Sequence, residues 1–326
     1  MLIDVSGVHL GHVSLGDTGV TALVAADPRG MLAAVDVRGG GPGTRETDLL
    51  APHNTVERVN AILLCGGSAF GLAAADGAMR ELERRGLGFA VFGEAVPDLV
   101  VPIVPAAVIF DLAVGDPAHR PTAADGAAVI AHAIDATDAA GSRVKTGSVG
   151  VGCGATAGVL RGGFGACVTT AAGYTVAAYV AANPVGSVID PHTGLFYGDA
   201  SLPPVDLERF GQLRRPMPKL NTTIGVIVTD APLGPAALKR LAMTGHDGIA
   251  RAIRPAHSPL DGDVLFAVSV AETSGAGGGG GEVVGDVEKR ALLGEAAANM
   301  VQAAIVDAVA SATPAHGVTA WRELAR

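Results

Sequence analysis

Two short β-branched runs separated by one helical segment constrain the architecture of this chain more than any other pattern in it. Residues 222–228 (TTIGVIV) and 264–270 (VLFAVSV) read as buried strands, and residues 235–243, opening on Pro235, read as a helix between them. A strand, a helix and a strand joined in this way form a crossover unit with parallel strands, so both strands start at the same sheet edge. That edge collects Thr222 and Thr223 with the turn Asp261-Gly262-Asp263. Two residues apart in an extended segment, Asp261 and Asp263 point the same way. One can orient the threonine and the other can hold its amine, although such turns are most often simply solvated.

Thr222 follows Asn221 at the end of residues 202–221, which hold Pro203, Pro204, Arg214, Arg215, Pro216 and Pro218 and read as an exposed linker. A mid-chain threonine is a poor nucleophile because nothing nearby takes its proton. Cleavage changes that. Attack of the Thr222 hydroxyl on the Asn221 carbonyl gives an ester, and hydrolysis frees an α-amino group with an intrinsic pKa of about 7.7–8.0. That amine can serve as base toward its own hydroxyl at neutral pH. The reading is a chain that cuts itself between Asn221 and Thr222.

The rest of the chain offers weaker signals. Residues 5–24 read as a hairpin holding His9 and His12; a metal needs further ligands, and two turn histidines are the plainer explanation. Residues 31–37 read as a strand running into Gly39-Gly40-Gly41-Pro42-Gly43, which serves equally as a ligand-facing loop or a tight connector. Residues 61–64, 65–71 and 72–85 read as strand, Gly-rich turn and helix, ending at Gly86. The turn fails as a serine elbow, since Gly67-Ser68 is followed by Ala69 and Phe70, and it fails as a phosphate loop. Close helix packing is its expected role.

Pro102 and Pro105 exclude a long helix over residues 99–112, where 108–110 suggest a buried strand, and residues 123–140 read as an Ala-rich helix. Residues 150–155 meet the loose dinucleotide pattern, yet more glycines follow and no helix does. Residues 164–180 look like two strands leading to Asn183-Pro184, where the Asn183 amide can cap a turn or face a pocket as an oxyanion donor. A glycine run at 275–281 reads as a flexible loop and residues 289–311 as an Ala-rich helix.

Composition narrows the partners. A net charge of -9 without a Lys/Arg cluster argues against a nucleic-acid partner. Residues 162–189 carry no charge but hold Asn183, Pro184 and several glycines, so they read as strands and turns, and no membrane partner is expected. The first residues, Met1-Leu2-Ile3-Asp4-Val5, lack the features of a secretory signal, and the expectation is a cytoplasmic protein. Cys65, Cys153 and Cys167 are widely spaced and read as buried, reduced thiols. With 46 glycines and 4% aromatic residues, small side chains must pack backbone closely on backbone.

Taken in order, a set of motifs resembles the DmpA-type family of self-processing aminopeptidases and amidases, whose relatives include β-peptidyl aminopeptidases, ThnT and nylon-oligomer hydrolases. The motifs are Gly39-Gly40-Gly41-Pro42-Gly43, Gly66-Gly67-Ser68-Ala69-Phe70-Gly71-Leu72 with Asp76-Gly77, Ala107-Val108-Ile109-Phe110-Asp111, the glycines from 150 to 158, Asn183-Pro184-Val185-Gly186, Asn221-Thr222-Thr223-Ile224, Ile253-Arg254-Pro255-Ala256-His257, and Asp261-Gly262-Asp263-Val264-Leu265-Phe266-Ala267. They span nearly the whole chain.

The resemblance implies an α+β fold, a four-layered αββα sandwich of the DmpA/ornithine acetyltransferase type. It implies an α segment over 1–221, a β segment over 222–326 that begins with the nucleophile, and a homo-oligomer, a tetramer of αβ heterodimers. It puts the nucleophile at Thr222, orienting acids at Asp261 and Asp263, and the oxyanion-side amide at Asn183. The implied activity is hydrolysis of amide bonds in small peptides or amides with a free amino end, with no metal or organic cofactor. Two departures from relatives stand out: Phe110 replaces a Tyr and Val159 replaces a Lys, for which Arg161 or Lys145 is a candidate substitute. Two other readings stay open, an acyltransferase of ornithine-acetyltransferase type and an uncleaved, non-catalytic relative.

Overall fold

Strands buried on both faces demand cover on both sides, and this chain meets the demand by stacking two sheets between two pairs of helices. The computed structural model describes residues 5–96, 99–135, 144–215, 220–271 and 285–326. In chain order the strands and helices are β1 (Val8–Ser14), β2 (Gly19–Ala25), β3 (Met31–Val37), β4 (Thr44–Arg45), β5 (Arg58–Val59), β6 (Ala61–Cys65), α1 (Ala74–Arg84), β7 (Phe89–Ala90), β8 (Val100–Val101), β9 (Ala106–Val108) and α2 (Ala123–Asp135). There follow β10 (Thr156–Ala157), β11 (Leu160–Arg161), β12 (Gly163–Ala171), β13 (Tyr174–Ala182), α3 (Leu207–Gln212), β14 (Ile224–Thr229), α4 (Pro235–Ala252), β15 (Val264–Ser269) and α5 (Val287–Ala310).

The first sheet has the order β1-β2-β6-β9-β4 and the second β12-β13-β14-β15-β3-β5. Three apolar clusters separate four layers. One joins Val20, Ala22 and Leu63 of the first sheet to Ala74, Ala78, Leu82, Val129 and Ile130 of α1 and α2. The middle cluster sets Leu23, Ile62 and Leu64 of the first sheet against Val35, Tyr179, Val226, Phe266 and Val268 of the second. On the outer face of the second sheet, Ala178, Ile227, Leu265 and Ala267 meet Leu238, Leu241, Ile249, Ala304 and Ile305 of α4 and α5. The result is the αββα sandwich, with inner and outer faces of each strand contributing to different clusters. Helix α5 is long and apolar enough to cross a membrane by length and composition, but its apolar face is built into this outer layer.

The crossover predicted for the second half is present. β14 and β15 pair in parallel from Ile224↔Val264 to Thr229↔Ser269, with α4 as the connecting helix. They lie between β13 and β3, so the part of the chain after residue 221 is woven between strands that precede it.

Several elements differ from expectation. α4 continues nine residues past the expected end at Met243, to Ala252. The strand expected at 108–110 lies at Ala106–Val108, after Pro105. The expected linker contains α3, whose N-cap Asp206 accepts from Arg209 N and whose Arg209 side chain donates to the Glu323 carbonyl. His9 and His12 lie within β1 and not in a turn. Lys219, Pro216, Pro218, the glycine run at 275–281, residues 136–140 of the expected helix and Met1 to Asp4 lie outside the described residues.

Candidate active site

The N-terminal ends of β14 and β15 meet at one edge of the second sheet, as the parallel pairing requires. Asn221 forms a parallel bridge with Asp261, just ahead of the main ladder. Asn221 N donates to the Leu260 carbonyl (3.3 Å), and Gly262 N donates to the Asn221 carbonyl (3.2 Å). The Thr222 hydroxyl also donates to that carbonyl oxygen, at 2.5 Å. Thr222 N in turn donates to the Asn183 carbonyl at 2.7 Å. The peptide group between Asn221 and Thr222 is thus fixed at both its oxygen and its nitrogen. Both residues are buried, Thr222 at 4% exposure.

Asp261 and Asp263 are each 1% exposed and bind different parts of the surrounding backbone. Asp263 Oδ1 accepts Thr223 N (2.8 Å), while its Oδ2 accepts His257 N (3.1 Å) and lies 2.8 Å from His257 Nδ1. Asp261 Oδ1 accepts Val185 N (2.9 Å), and Oδ2 accepts Ser258 N (3.1 Å) and the Ser258 hydroxyl (2.5 Å). Burial pushes the Asp261 carboxyl above its ordinary range, against the pull of the Ser258 and Val185 donors, and the neighbouring Asp263 charge pushes it further up. The Thr223 hydroxyl is buried and finds no hydrogen-bond partner among the described residues.

The glycines at 39–43 back the acidic turn. Arg38 N donates to the Asp263 carbonyl (2.9 Å) and Gly41 N to the Asp261 carbonyl (2.8 Å). A Cβ at Gly39 would stand 2.2 Å from Asp263 N, so only glycine admits this approach. Gly262 is tied in the same way, since a Cβ there would stand 2.8 Å from the Thr222 hydroxyl oxygen.

Asn183 is fully buried, and its side chain faces two ways. Oδ1 accepts Thr156 N (2.8 Å) and Nδ2 donates to the Phe110 carbonyl (3.0 Å). In the intact chain the Asn221 carbonyl is met by Gly262 N and the Thr222 hydroxyl, and Asn183 reaches Thr222 through its own backbone oxygen. Phe110 contributes its carbonyl, which does not depend on the identity of its side chain.

The side chain of Asn221 enters a pocket of oxygens, with Nδ2 lying 3.0 Å from the Pro184 carbonyl and 3.3 Å from both the Thr156 carbonyl and the Thr156 hydroxyl.

Of the cations considered from sequence, Arg161 is fully buried and donates to the Cys153 carbonyl. Lys145 is exposed and acts on His12. Arg215 is the guanidinium that reaches the site's surroundings: it donates to the Val185 carbonyl, and the Asp261 charge acts on it. The roles of Gly262, Thr156, His257 and Arg215 were not apparent from sequence. Gly262 and the carbonyls act through backbone atoms that every residue type carries, so no residue pattern signals them. Among the described residues no group of three or more His, Cys, Asp and Glu side chains is arranged to hold a metal.

This arrangement supports acyl transfer. A hydroxyl lies beside a fixed carbonyl, a backbone N–H already polarises that carbonyl, and two buried carboxylates hold the flanking backbone.

Comparison with known proteins adds the lineage. The model of "Peptidase family S58" matches residues 1–322. A protein of Mycobacterium leprae named an uncharacterized aminopeptidase is 50% identical over 288 residues, covering 82% of this chain and 78% of that one. A β-aminopeptidase structure from Burkholderia sp. superposes with a TM-score of 0.76 at 24% identity, covering 98% of this chain and 89% of the other. The L-aminopeptidase D-Ala-esterase/amidase of Ochrobactrum anthropi, described as a variant of the Ntn hydrolase fold, gives a TM-score of 0.72 at 23% identity over 95% and 86% of the two chains.

Proposed function

The chain belongs to peptidase family S58 and is a hydrolase of peptide or amide bonds, and on that premise we propose that it cuts itself between Asn221 and Thr222 and then uses Thr222 as its nucleophile. The observation that carries this reading is the Thr222 hydroxyl, 2.5 Å from the carbonyl oxygen of the preceding residue, on a carbonyl that also accepts Gly262 N. In the first step the Thr222 oxygen bonds to the Asn221 carbonyl carbon. The carbon–nitrogen bond breaks, and the hydroxyl proton ends on the former amide nitrogen. Negative charge building on the Asn221 oxygen falls where the Gly262 N–H already points.

Water then hydrolyses the ester, leaving a carboxyl on Asn221 and a free amine and hydroxyl on Thr222. In turnover that amine is the base for the hydroxyl, and an acyl group from substrate takes the place of Asn221 on the Thr222 oxygen. The Asn183 carbonyl, which accepts Thr222 N in the intact chain, is positioned to hold the new ammonium. Asp263 keeps Thr223 N in place through both steps. The substrates are small peptides or amides with a free amino end, and the cut protein is a cytoplasmic homo-oligomer of heterodimers.

Intact-mass measurement of the purified protein tests the bond and the nucleophile together. Two fragments, the second beginning at Thr222, are expected for the wild type, and a single uncut chain with neither fragment nor amidase activity for Thr222→Ala. A wild-type chain that stays whole on ageing, or amidase activity in Thr222→Ala, would overturn the reading.

A further inference from the structure

Self-cleavage and turnover pass through the same linkage, an ester on the Thr222 oxygen, so the residue that precedes Thr222 in the intact chain sits where the acyl residue of a substrate must sit. How the fold grips Asn221 is then a description of the acyl subsite. Its main-chain N–H meets the Leu260 carbonyl and its own carbonyl meets Gly262 N. Its side-chain amide nitrogen meets three oxygens: the Pro184 carbonyl at 3.0 Å, and the Thr156 carbonyl and hydroxyl at 3.3 Å each.

Two of those oxygens are carbonyls and can only accept. The third is steered the same way, because the Thr156 hydroxyl directs its hydrogen toward Asn183 Oδ1 (3.4 Å) and Thr156 N donates to that oxygen as well (2.8 Å). Thr156, Asn183 and Asn221 are all buried, at 7%, 0% and 7% exposure, so water does not readily replace a missing donor.

We propose that Thr156 and Pro184 form an acyl-side specificity pocket that selects substrates whose N-terminal residue carries a primary carboxamide on Cγ, that is, asparaginyl peptides and amides. This rests on Thr222 being the nucleophile of the cut protein. An aspartyl residue would turn carboxylate oxygens against three oxygen acceptors. A leucyl residue of the same reach would withdraw this donor from the buried Thr156 carbonyl and hydroxyl and leave the Pro184 carbonyl with Gly158 N (3.2 Å) alone. A pocket built to hydrogen-bond a substrate group discriminates strongly against analogues that lack it.

The test uses wild-type protein shown by mass to be cut at Thr222, with asparaginyl, aspartyl and leucyl p-nitroanilides as substrates. The expected result is a kcat/KM for the asparaginyl compound at least about tenfold above the other two. Thr156→Val, which removes the hydroxyl and keeps both carbonyls, is expected to cut that advantage about two- to tenfold through a raised KM. As a measurement that needs no variant, free L-asparagine is expected to inhibit the wild type where L-aspartate and L-leucine at equal concentration do not. Equal or lower kcat/KM on the asparaginyl compound, hydrolysis of none of the three by fully cut protein, or equal inhibition by the three amino acids would overturn the pocket and leave Thr222 cleavage standing. A chain that never cuts would instead overturn the nucleophile assignment, and the pocket with it.

Discussion

Asp263 is held from two sides, and what it holds explains why a carboxylate and not an amide belongs there. One oxygen takes Thr223 N and the other takes two donors from His257. Every contact is a donor aimed at the side chain, so an asparagine must present its NH2 either to the Thr223 N–H or to the His257 donors. Leaving a buried donor unmet costs about 1–3 kcal/mol, and about 1.4 kcal/mol is a tenfold change in rate. Asp263→Asn is therefore expected to slow self-cleavage about 5- to 150-fold, read as the fraction of cut chain against time on a denaturing gel. Cleavage at the wild-type rate would show that the Thr223 backbone is held by other means. The sequence marked Thr222, Asp261 and Asp263 because their side-chain chemistry is unusual at strand starts. It did not mark Thr156, which acts in part through its backbone N–H and carbonyl, and it carried His257 only as the end of a motif, because its partner is set by a loop geometry that spacing does not reveal.

At the scale of elements, the crossover β14–α4–β15 was legible because β-branched runs of strand length flank a helix-opening proline. The length of α4 was not, because Gly245 and Gly248 fall inside it and glycine is a poor helix former on propensity alone. Their role is contact. A Cβ on Gly248 would stand 2.2 Å from the Ala298 carbonyl oxygen of α5, and one on Gly245 would stand 2.4 Å from Ile227 Cδ1 of β14. Glycine inside a helix gives up about 1 kcal/mol relative to alanine, so an exposed Gly→Ala change would stabilise. Here the new methyl meets backbone that cannot rotate away, and overpacking costs about 1–3 kcal/mol or more. Gly248→Ala is thus expected to lower the melting temperature by a few degrees, while an unchanged or higher value would mean that α4 and α5 separate easily. α3 was missed for a related reason: in residues 202–221 the prolines dominate the local signal, and the docking of α3 on Glu323 is a long-range contact.

For the molecule as a whole, burial of ionisable groups ties stability to pH with opposing signs, and these groups could be named from sequence only as residues, never as buried ones. His246 is fully buried, and burial lowers its pKa from 6.5 to about 4, with His257 and Arg38 adding to the effect and the Asp36 carbonyl and charge opposing it. Between pH 6.5 and 4 the unfolded chain binds a proton that the folded imidazole refuses, so the stability present above pH 6.5 is lost as pH falls through that window. Asp111 behaves in the reverse sense. It is buried beneath Thr18 and Gly67, whose donors lie 2.7 and 2.6 Å from its oxygens, and burial raises its pKa from 3.8 to about 6 despite them. The folded chain then takes up a proton before the unfolded chain does, and acidification from pH 6 toward 3.8 relieves a penalty that is complete above pH 6. At about 1.4 kcal/mol per pKa unit, each group shifts stability by about 3 kcal/mol across its window. Unfolding in denaturant at pH 7 and at pH 4.5 separates the two. Relative to His246→Gln, the wild type is expected to lose stability on acidification. Relative to Asp111→Asn it is expected to gain. Differences that do not change with pH would mean that these side chains reach water in the folded protein, and a shared sign would mean that one of the two is not closed off by the layers around it.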